Sequence, residues 1–172
     1  MLHYAGIGSR STPEPYLSRM TILATELAKK LIVLRSGGAS GADMAFERGA
    51  GPLKEIYLPW KNFNSNPSHL HHINDAAMHM AERFHPAWHR LSDPVRKLMA
   101  RNSYQVMGYD MQTPSDFIVC WTENGQFTGG TSQALRIATH YEIPIINFGA
   151  KEYKGASRKY ILDKIDSIIV EE

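Results

Sequence analysis

The chain has 172 residues, of which 43% are hydrophobic and 21% are charged, and it contains 13 glycines and 9 prolines. This composition excludes collagen-like, low-complexity and wholly disordered proteins, and the length fits a single domain over residues 1–172. Nineteen basic against 17 acidic residues give a net charge of +2, which is too balanced to indicate a nucleic-acid partner. The single cysteine, Cys120, excludes an internal disulfide, and no apolar run approaches the ~20 residues of a membrane span. We therefore expect a cytoplasmic protein without a signal peptide and without a membrane partner.

Strand and helix signals alternate in the first third of the chain. Short apolar runs that end at glycine or proline predict strands, and apolar residues at helical spacing predict helices. In chain order the predicted elements are a strand at 2–7, a helix that begins near Pro13 and Pro15 and runs towards Leu31, a strand at 31–34, a helix at 42–48 and a strand at 55–59. This βαβαβ order is typical of a parallel α/β sheet.

The segment from about 61 to 112 interrupts the alternation with an inserted helical hairpin, in which we expect helices at 68–84 and 93–107. After it we expect a strand at 117–121, a helix at 131–141, a strand at 143–148 and a helix at 156–170, with a terminal strand at 167–170 as an alternative. The predicted fold is therefore α/β, a Rossmann-like open parallel sheet of about five strands in the order 3-2-1-4-5.

Three glycine-rich turns each follow a predicted strand and precede a predicted helix. Glycine lets the backbone approach a ligand closely, and the N-terminus of the next helix favours an anion. In the predicted strand order the turns meet at the switch point of the sheet, where open α/β sheets bind ligands. We therefore expect a nucleotide-type small molecule that carries a phosphate. The candidate binding residues in these turns are Gly8, Ser9, Arg10, Ser36, Gly37, Gly38, Ser40, Gly41, Gly129, Gly130, Thr131, Ser132 and Gln133.

Side-chain chemistry suggests individual roles at this site. Arg10 is placed to bind a phosphate through its guanidinium. Asp43 is compatible both with a capping box formed with Ser40 and with contact to ribose hydroxyls, and the two roles can coexist. Thr131 and Ser132 are equally compatible with capping their helix. Trp121 is the best placed of the three tryptophans to stack on a base.

Two cofactor interpretations are disfavoured. In a dinucleotide dehydrogenase the first turn would need a glycine where Ser11 stands, and the second strand ends at Arg35 rather than at an acidic residue. The guanidinium of Arg35 is suited to the 2′-phosphate of NADP, so NADP stays an open alternative. A histidine-rich segment lacks a His-Glu-x-x-His motif, so we expect no metal and no cofactor. These histidines are His69, His71, His72, His79, His85 and His89.

The three turns, within residues 5–10, 34–43 and 129–138, resemble the SLOG superfamily. That superfamily unites the Rossmann-like domain of DNA-processing protein A with the LOG ("lonely guy") phosphoribohydrolases. The resemblance covers about residues 2–58 and 114–149, and the chain is also similar to short members from bacteriophage genomes. It implies a homo-oligomer, since SLOG proteins commonly pair, and for a phage protein it implies the host cytoplasm.

The LOG pattern adds catalytic residues by resemblance. Its Met-x-x-Arg-Lys helix is matched at Arg101, with Asn102 in place of the lysine, which implies a catalytic Arg101 and a ligand-binding Asn102. Its glutamate is replaced by Ala134, although a carboxylate is needed to stabilise an oxocarbenium-like sugar. Asp43 is the candidate substitute. The other carboxylates considered are Glu47, Asp110 and Glu123.

These observations leave three functions open. The first is binding of a nucleotide or nucleotide-derived molecule, with hydrolysis of the N-glycosidic bond of a nucleoside 5′-monophosphate if a carboxylate has moved. The second is a recombination mediator that binds single-stranded DNA, like DNA-processing protein A. The third is a non-catalytic protein that sequesters a nucleotide signal or interacts with a host partner, which the missing glutamate favours.

Overall fold

A computed structural model describes residues 1–170 of the chain. Within these residues, five parallel strands lie in the order β3-β2-β1-β4-β5, which confirms the predicted Rossmann-like α/β sheet. The strands are β1 (His3–Gly6), β2 (Val33–Ser36), β3 (Lys54–Ile56), β4 (Phe117–Cys120) and β5 (Ile145–Asn147). The helices are α1 (Tyr16–Lys29), α2 (Ala42–Ala50), α3 (Asp75–Phe84), α4 (Asp93–Met107), α5 (Thr131–His140) and α6 (Arg158–Val170).

The sheet separates two layers of helices. α1, α2 and α6 pack on one face around Tyr4 and Phe117, whose rings stack at a centroid distance of 5.6 Å. α4 and α5 pack on the other face around Ala5 and Ile118, and α3 lies beside α4. Successive side chains of a strand point to opposite faces, so β1 and β4 each supply both cores. Coverage of both faces explains why β4 is apolar throughout and why β1 is apolar after His3.

The strand order places a crevice in the middle of the sheet, at the carboxyl ends of its strands. β1 pairs with β2 on one side and with β4 on the other. The chain leaves β1 towards the α1 layer and leaves β4 towards the α5 layer, so the loops after these two strands separate. A ligand-sized space at the carboxyl ends of β1 and β4 follows from this divergence.

The inserted hairpin is present as α3 and α4, and α4 has the predicted bounds. The expected start of the first helix near residue 68 is wrong, because Leu70 instead forms a parallel bridge with Tyr57 at the edge of the sheet. The helix begins only at Asp75, where the side chain of Asn74 accepts a hydrogen bond from the Ala77 amide at 2.8 Å.

Two other expectations about element ends are corrected. Leu31 belongs neither to α1 nor to β2, because it adopts a φ of 61° in the turn between them and is 67% exposed. Residues 167–170 continue α6 and do not form a strand. Ile161 and Ile165, one helical turn apart, bury this helix against the first core, and the helical spacing extends to its end.

Cys120 ends β4, which is hydrogen-bonded to β1 and β5. Its side chain has no solvent exposure and packs in the core of the α5 layer. Burial raises the pKa of this thiol. No helix within residues 1–170 has the length and apolar character needed to cross a bilayer.

Candidate functional site

A cleft of about 480 Å³ opens at the carboxyl ends of β1 and β4. It lies at the predicted switch point of the sheet, and small-molecule sites commonly measure ~300–1,000 Å³. Its walls come from the loops after β1, β2, β3 and β4, and from α2, α4 and the start of α5. The predicted site residues that line it are Gly8, Ser9, Arg10, Asp43, Arg101, Asn102, Gly129, Gly130 and Thr131.

The first and third glycine-rich turns form one part of the lining. The carbonyl of Ser9 accepts hydrogen bonds from the amide and the hydroxyl of Thr12 at 3.2 and 2.6 Å, which fixes the first turn, and the exposed Arg10 follows. In the third turn Gly129 has a φ of 69°, and α5 begins at Thr131. The amides of Ser132 and Gln133 donate to the carbonyls of Gly129 and Gly130 at 3.2 and 3.3 Å, and the N-terminus of the helix as a whole carries partial positive charge. This part of the cleft therefore suits an anion.

The second glycine-rich turn supports the cleft more than it lines it. Of residues 36–41, Ala39 alone contributes to the lining. The hydroxyl of Ser36 donates to the Gly6 carbonyl at 2.6 Å, which joins the ends of β2 and β1. Gly41 has a φ of 84°, and a Cβ there would lie 2.8 Å from the Arg10 backbone. This turn thus holds the first turn in place.

Polar side chains of α4 reach the cleft from successive helical turns. The Arg101 guanidinium donates to the Gly37 carbonyl and, at 2.9 Å, to the side-chain oxygen of Asn102. The Asn102 amide donates to the Gly130 carbonyl at 3.3 Å, which connects α4 to the third turn. A Cβ on Gly37 would lie 2.5 Å from the side-chain ends of both Arg101 and Gln105, so a larger residue there would displace them.

Asp43 lies in the first turn of α2 and is 5% exposed. Its carboxylate accepts a hydrogen bond from the Ala39 amide at 3.2 Å, and Gly41 is the N-cap residue, so the capping box with Ser40 does not form. Burial raises the pKa of the Asp43 carboxyl to about 6, although the Arg101 guanidinium and the Ala39 amide favour the charged form. Burial lowers the pKa of Arg101, and Asp43 opposes this. The cleft thus holds a carboxyl group that titrates near neutral pH.

Several predicted ligand residues lie outside the lining. Trp121 packs against the Tyr16 ring at a centroid distance of 6.0 Å, on the α1 side of the sheet. The Ser132 hydroxyl donates to the Gly129 carbonyl at 2.5 Å, and the Gln133 amide donates to the Ala81 carbonyl on α3 at 3.0 Å. These contacts position α5. The others outside the lining are Ser36, Gly37, Gly38, Ser40 and Gly41.

An apolar wall of the cleft was missed by the sequence reasoning. Three residues of this wall belong to α4, and the fourth, Phe63, comes from the loop after β3. The α4 residues share one helix face with Asn102 and Gln105, because all are spaced by three or four residues, and this spacing was a usable signal. The members of the wall are Phe63, Val95, Leu98 and Met99.

Ala134 presents its methyl group to the cleft at the position where the resemblance implies a glutamate. Among the carboxylates considered as substitutes, Asp43 lines the cleft. Glu47 instead accepts hydrogen bonds from Lys54 at 2.9 Å and from Asn66 at 3.0 Å. Asp110 and Glu123 are not among the lining residues.

Arg35, considered for the 2′-phosphate of NADP, is held by neighbours outside the cleft. The guanidinium of Arg35 donates to the Thr113 carbonyl at 2.6 Å and to Ser115 at 3.2 Å, and it lies 3.4 Å from Glu55. It is therefore engaged away from the cleft and not placed for a 2′-phosphate. Within residues 1–170, no group of three or more His, Cys, Asp or Glu side chains is arranged to hold a metal ion.

Comparisons with known proteins support the fold. No family model matches the chain, and no curated protein matches it. Among solved structures, the chain is similar to DNA processing protein A from Helicobacter pylori, whose structure describes a unique single-stranded DNA binding mode. The two are 24% identical with a TM-score of 0.55, and the match covers 85% of this chain and 64% of the other. The chain therefore spans less than two thirds of that protein, and the likeness concerns the Rossmann-like fold alone.

Proposed function

We propose that the chain binds a nucleoside 5′-monophosphate or a related nucleotide in the cleft. The observation that carries this proposal is that the same cleft contains groups suited to a phosphate and a group suited to a ribose. The first and third turns, with Arg10 and the N-terminus of α5, offer positive charge and N–H groups to a phosphate. Next to them, Asp43 offers a carboxylate that can accept hydrogen bonds from ribose hydroxyls.

Cleavage of the N-glycosidic bond is the finer form of this proposal. Asp43 supports it, because a buried carboxyl with a pKa of about 6 suits acid–base work near neutral pH. The methyl group of Ala134 favours the alternative, a protein that binds and sequesters a nucleotide without cleaving it. Release of free base that is lost in Asp43→Asn supports the hydrolase, and tight binding without base release supports sequestration.

Binding is tested by titrating the purified protein with AMP, GMP, CMP, UMP and ribose 5-phosphate. We expect at least one of the nucleotides to raise the unfolding temperature, since a ligand at ~100 times its Kd adds about 2.7 kcal/mol to the free energy of unfolding. Arg10→Ala should weaken binding about tenfold or more, because a charge-assisted hydrogen bond contributes roughly 1.5–3 kcal/mol.

Arg158→Ala is the matched control for the charge change. Arg158 is exposed at the start of α6 and does not line the cleft. If no nucleotide stabilises the protein at millimolar concentration, or if both arginine variants lose affinity equally, the proposed phosphate site is wrong.

Single-stranded DNA is the second candidate ligand, favoured by the likeness to DNA processing protein A. The same cleft, together with Arg10 of the first turn, would then bind one part of an oligonucleotide. An anisotropy titration with oligo-dT distinguishes the candidates, because log K for single strands falls with log salt at a slope of about −0.7 per phosphate neutralised. A steep slope with oligo-dT and no response to mononucleotides would replace the first candidate with the second.

Three other expectations stay predictions. They are that residues 1–172 form one domain, that the chain assembles as a homo-oligomer, and that it acts in the cytoplasm. Sedimentation at several protein concentrations measures the assembly directly.

A further inference from the structure

Phe63 is the aromatic side chain among the residues that line the cleft. It is half-buried, and its ring lies 5.8 Å from the guanidinium carbon of Arg101. An arginine at this distance polarises the ring and holds it in place from one side. Since Phe63 also lines the cleft, it offers aromatic surface to whatever occupies that space.

A short segment of unusual conformation presents Phe63, and we name residues 60–66 the aromatic strap. Asn62, Asn64 and Ser65 have φ values of 62°, 49° and 59°, in the left-handed region, which asparagine adopts more readily than most non-glycine residues. Trp60 packs against Phe63 edge-to-face, with a centroid distance of 5.3 Å and an interplanar angle of 90°. This backbone conformation and the contact with Trp60 hold the Phe63 ring at the cleft.

Two side-chain amides anchor the strap to the second glycine-rich turn and to α2. Asn64 donates to the carbonyl of Gly38 at 3.1 Å, which fastens the strap to the second glycine-rich turn. Asn66 donates to the carboxylate of Glu47 on α2 at 3.0 Å. The orientation of Phe63 is thus fixed by the same turn that supports Arg101, so the ring is part of a built site rather than of a free loop.

The lining of the cleft divides into two chemical parts. The first and third turns bring Arg10, backbone N–H groups and hydroxyls, whereas the wall formed by Phe63, Val95, Leu98 and Met99 is apolar. A ligand that fills both parts needs a charged end and a flat or apolar end. A nucleotide has this division, with its phosphate at one end and its base at the other.

We propose that Phe63 is the stacking platform for the base of the bound nucleotide, so that the phosphate lies at Arg10 and the base lies on the strap. This inference rests on the proposed function, because it assigns the two ends of the same ligand. It also replaces Trp121 as the stacking residue, since the Trp121 ring is packed against Tyr16. A sugar phosphate without a base has nothing to stack on Phe63, so it should bind more weakly than the nucleotide.

The test compares a nucleoside monophosphate with ribose 5-phosphate in the wild type, Phe63→Leu and Phe63→Tyr. Base–aromatic stacking contributes about 1–3 kcal/mol, so Phe63→Leu should weaken nucleotide binding by roughly 5- to 150-fold. Its affinity for ribose 5-phosphate should stay within about twofold of the wild type, because that ligand has no base to stack. Phe63→Tyr keeps the ring and should restore nucleotide binding.

The control is Tyr141→Leu, which removes an exposed aromatic ring from a position outside the cleft. Equal loss of both ligands in Phe63→Leu, or unchanged nucleotide binding, overturns the stacking assignment while nucleotide binding itself stands. Failure of the wild type to bind either ligand overturns both proposals. If Phe63→Leu does not fold, the wild type still decides, because equal affinity for nucleotide and ribose 5-phosphate contradicts a base platform.

Discussion

Asp43 lies in the first turn of α2, where the helix dipole favours a negative charge, yet its burial favours the neutral carboxyl. Burial has the larger effect, since the pKa is raised to about 6 in spite of Arg101 and the Ala39 amide. At neutral pH most molecules therefore hold a buried carboxylate at some cost in stability. Such a cost is typical of groups kept for binding or catalysis.

Asp43→Asn should change how stability depends on pH. The unfolded chain loses the Asp43 proton near pH 4 and the folded chain loses it near pH 6, so the free energy of unfolding falls as pH rises between these values. The shift corresponds to roughly 3 kcal/mol, and the stability of Asp43→Asn relative to the wild type should rise by about this amount from pH 4 to pH 7.

Urea unfolding at several pH values measures this difference. Asp163→Asn changes an exposed aspartate of α6 and is the control variant. A constant difference between Asp43→Asn and the wild type from pH 4 to pH 7 would show that burial does not control the Asp43 proton.

Individual residues of the cleft were predictable where a motif or a turn identified them. Arg101 was found through its motif, and Gly8 and Gly129 through their position after a strand. Trp121 was placed correctly at the end of β4 but not in the cleft. The side chains of a strand alternate between the two faces of the sheet. The direction of the side chain just past a strand therefore depends on the residue at which strand pairing stops. Phe63 was missed because its position depends on the left-handed residues of the strap, which no periodicity reveals.

Among the helices, α1 and α2 approach each other closely and contact each other through polar groups. Thr21 and Thr25, one turn apart on α1, donate to the carbonyls of Ala45 and Gly49 at 2.8 and 3.2 Å. A Cβ on Gly49 would lie 2.1 Å from the Thr21 carbonyl oxygen. Gly49 is therefore needed for the approach of the two helices, although glycine is otherwise a poor helix residue.

Gly49→Ala should therefore destabilise the protein even though alanine favours helices. The gain of about 1 kcal/mol in helix propensity is outweighed by overpacking, which commonly costs about 1–3 kcal/mol and here involves backbone that cannot turn aside. We expect a lower urea midpoint for Gly49→Ala. Arg48→Ala, at the exposed neighbouring position of the same helix, should stay close to the wild type. A more stable Gly49→Ala protein would contradict the close approach.

Elements with strong internal patterns were predicted well, and their ends were predicted less well. The bounds of α4 agree because a proline near its start and a glycine after its end mark them. The start of α3 depends on the bridge between Leu70 and Tyr57, a contact between distant parts of the sequence. Leu31 fits both helical and strand patterns, and the turn between them decides its exposure. Long-range pairing thus explains the larger of these errors.

At the scale of the whole molecule, the small net charge agrees with a ligand that carries one phosphate. A net charge of +2 gives little long-range attraction for a polyanion, whereas a few local donors suffice for one phosphate. The cleft lies between the loops of the two central strands, so a bound ligand contacts both halves of the sheet and both helix layers. Binding should therefore stabilise the fold as a whole and not only one loop.

Cys120 can report on that stabilisation, since a thiol reagent reaches its side chain only when the α4 and α5 layer opens from the sheet or the chain unfolds. The rate of modification by a disulfide reagent should give the same opening free energy as urea unfolding. A nucleotide at ~100 times its Kd should slow the reaction about 100-fold. Faster modification than urea unfolding allows would mean that the α4 and α5 layer opens locally from the sheet. With only one cysteine in the chain, the extent of modification reports the opening of this core at one defined point.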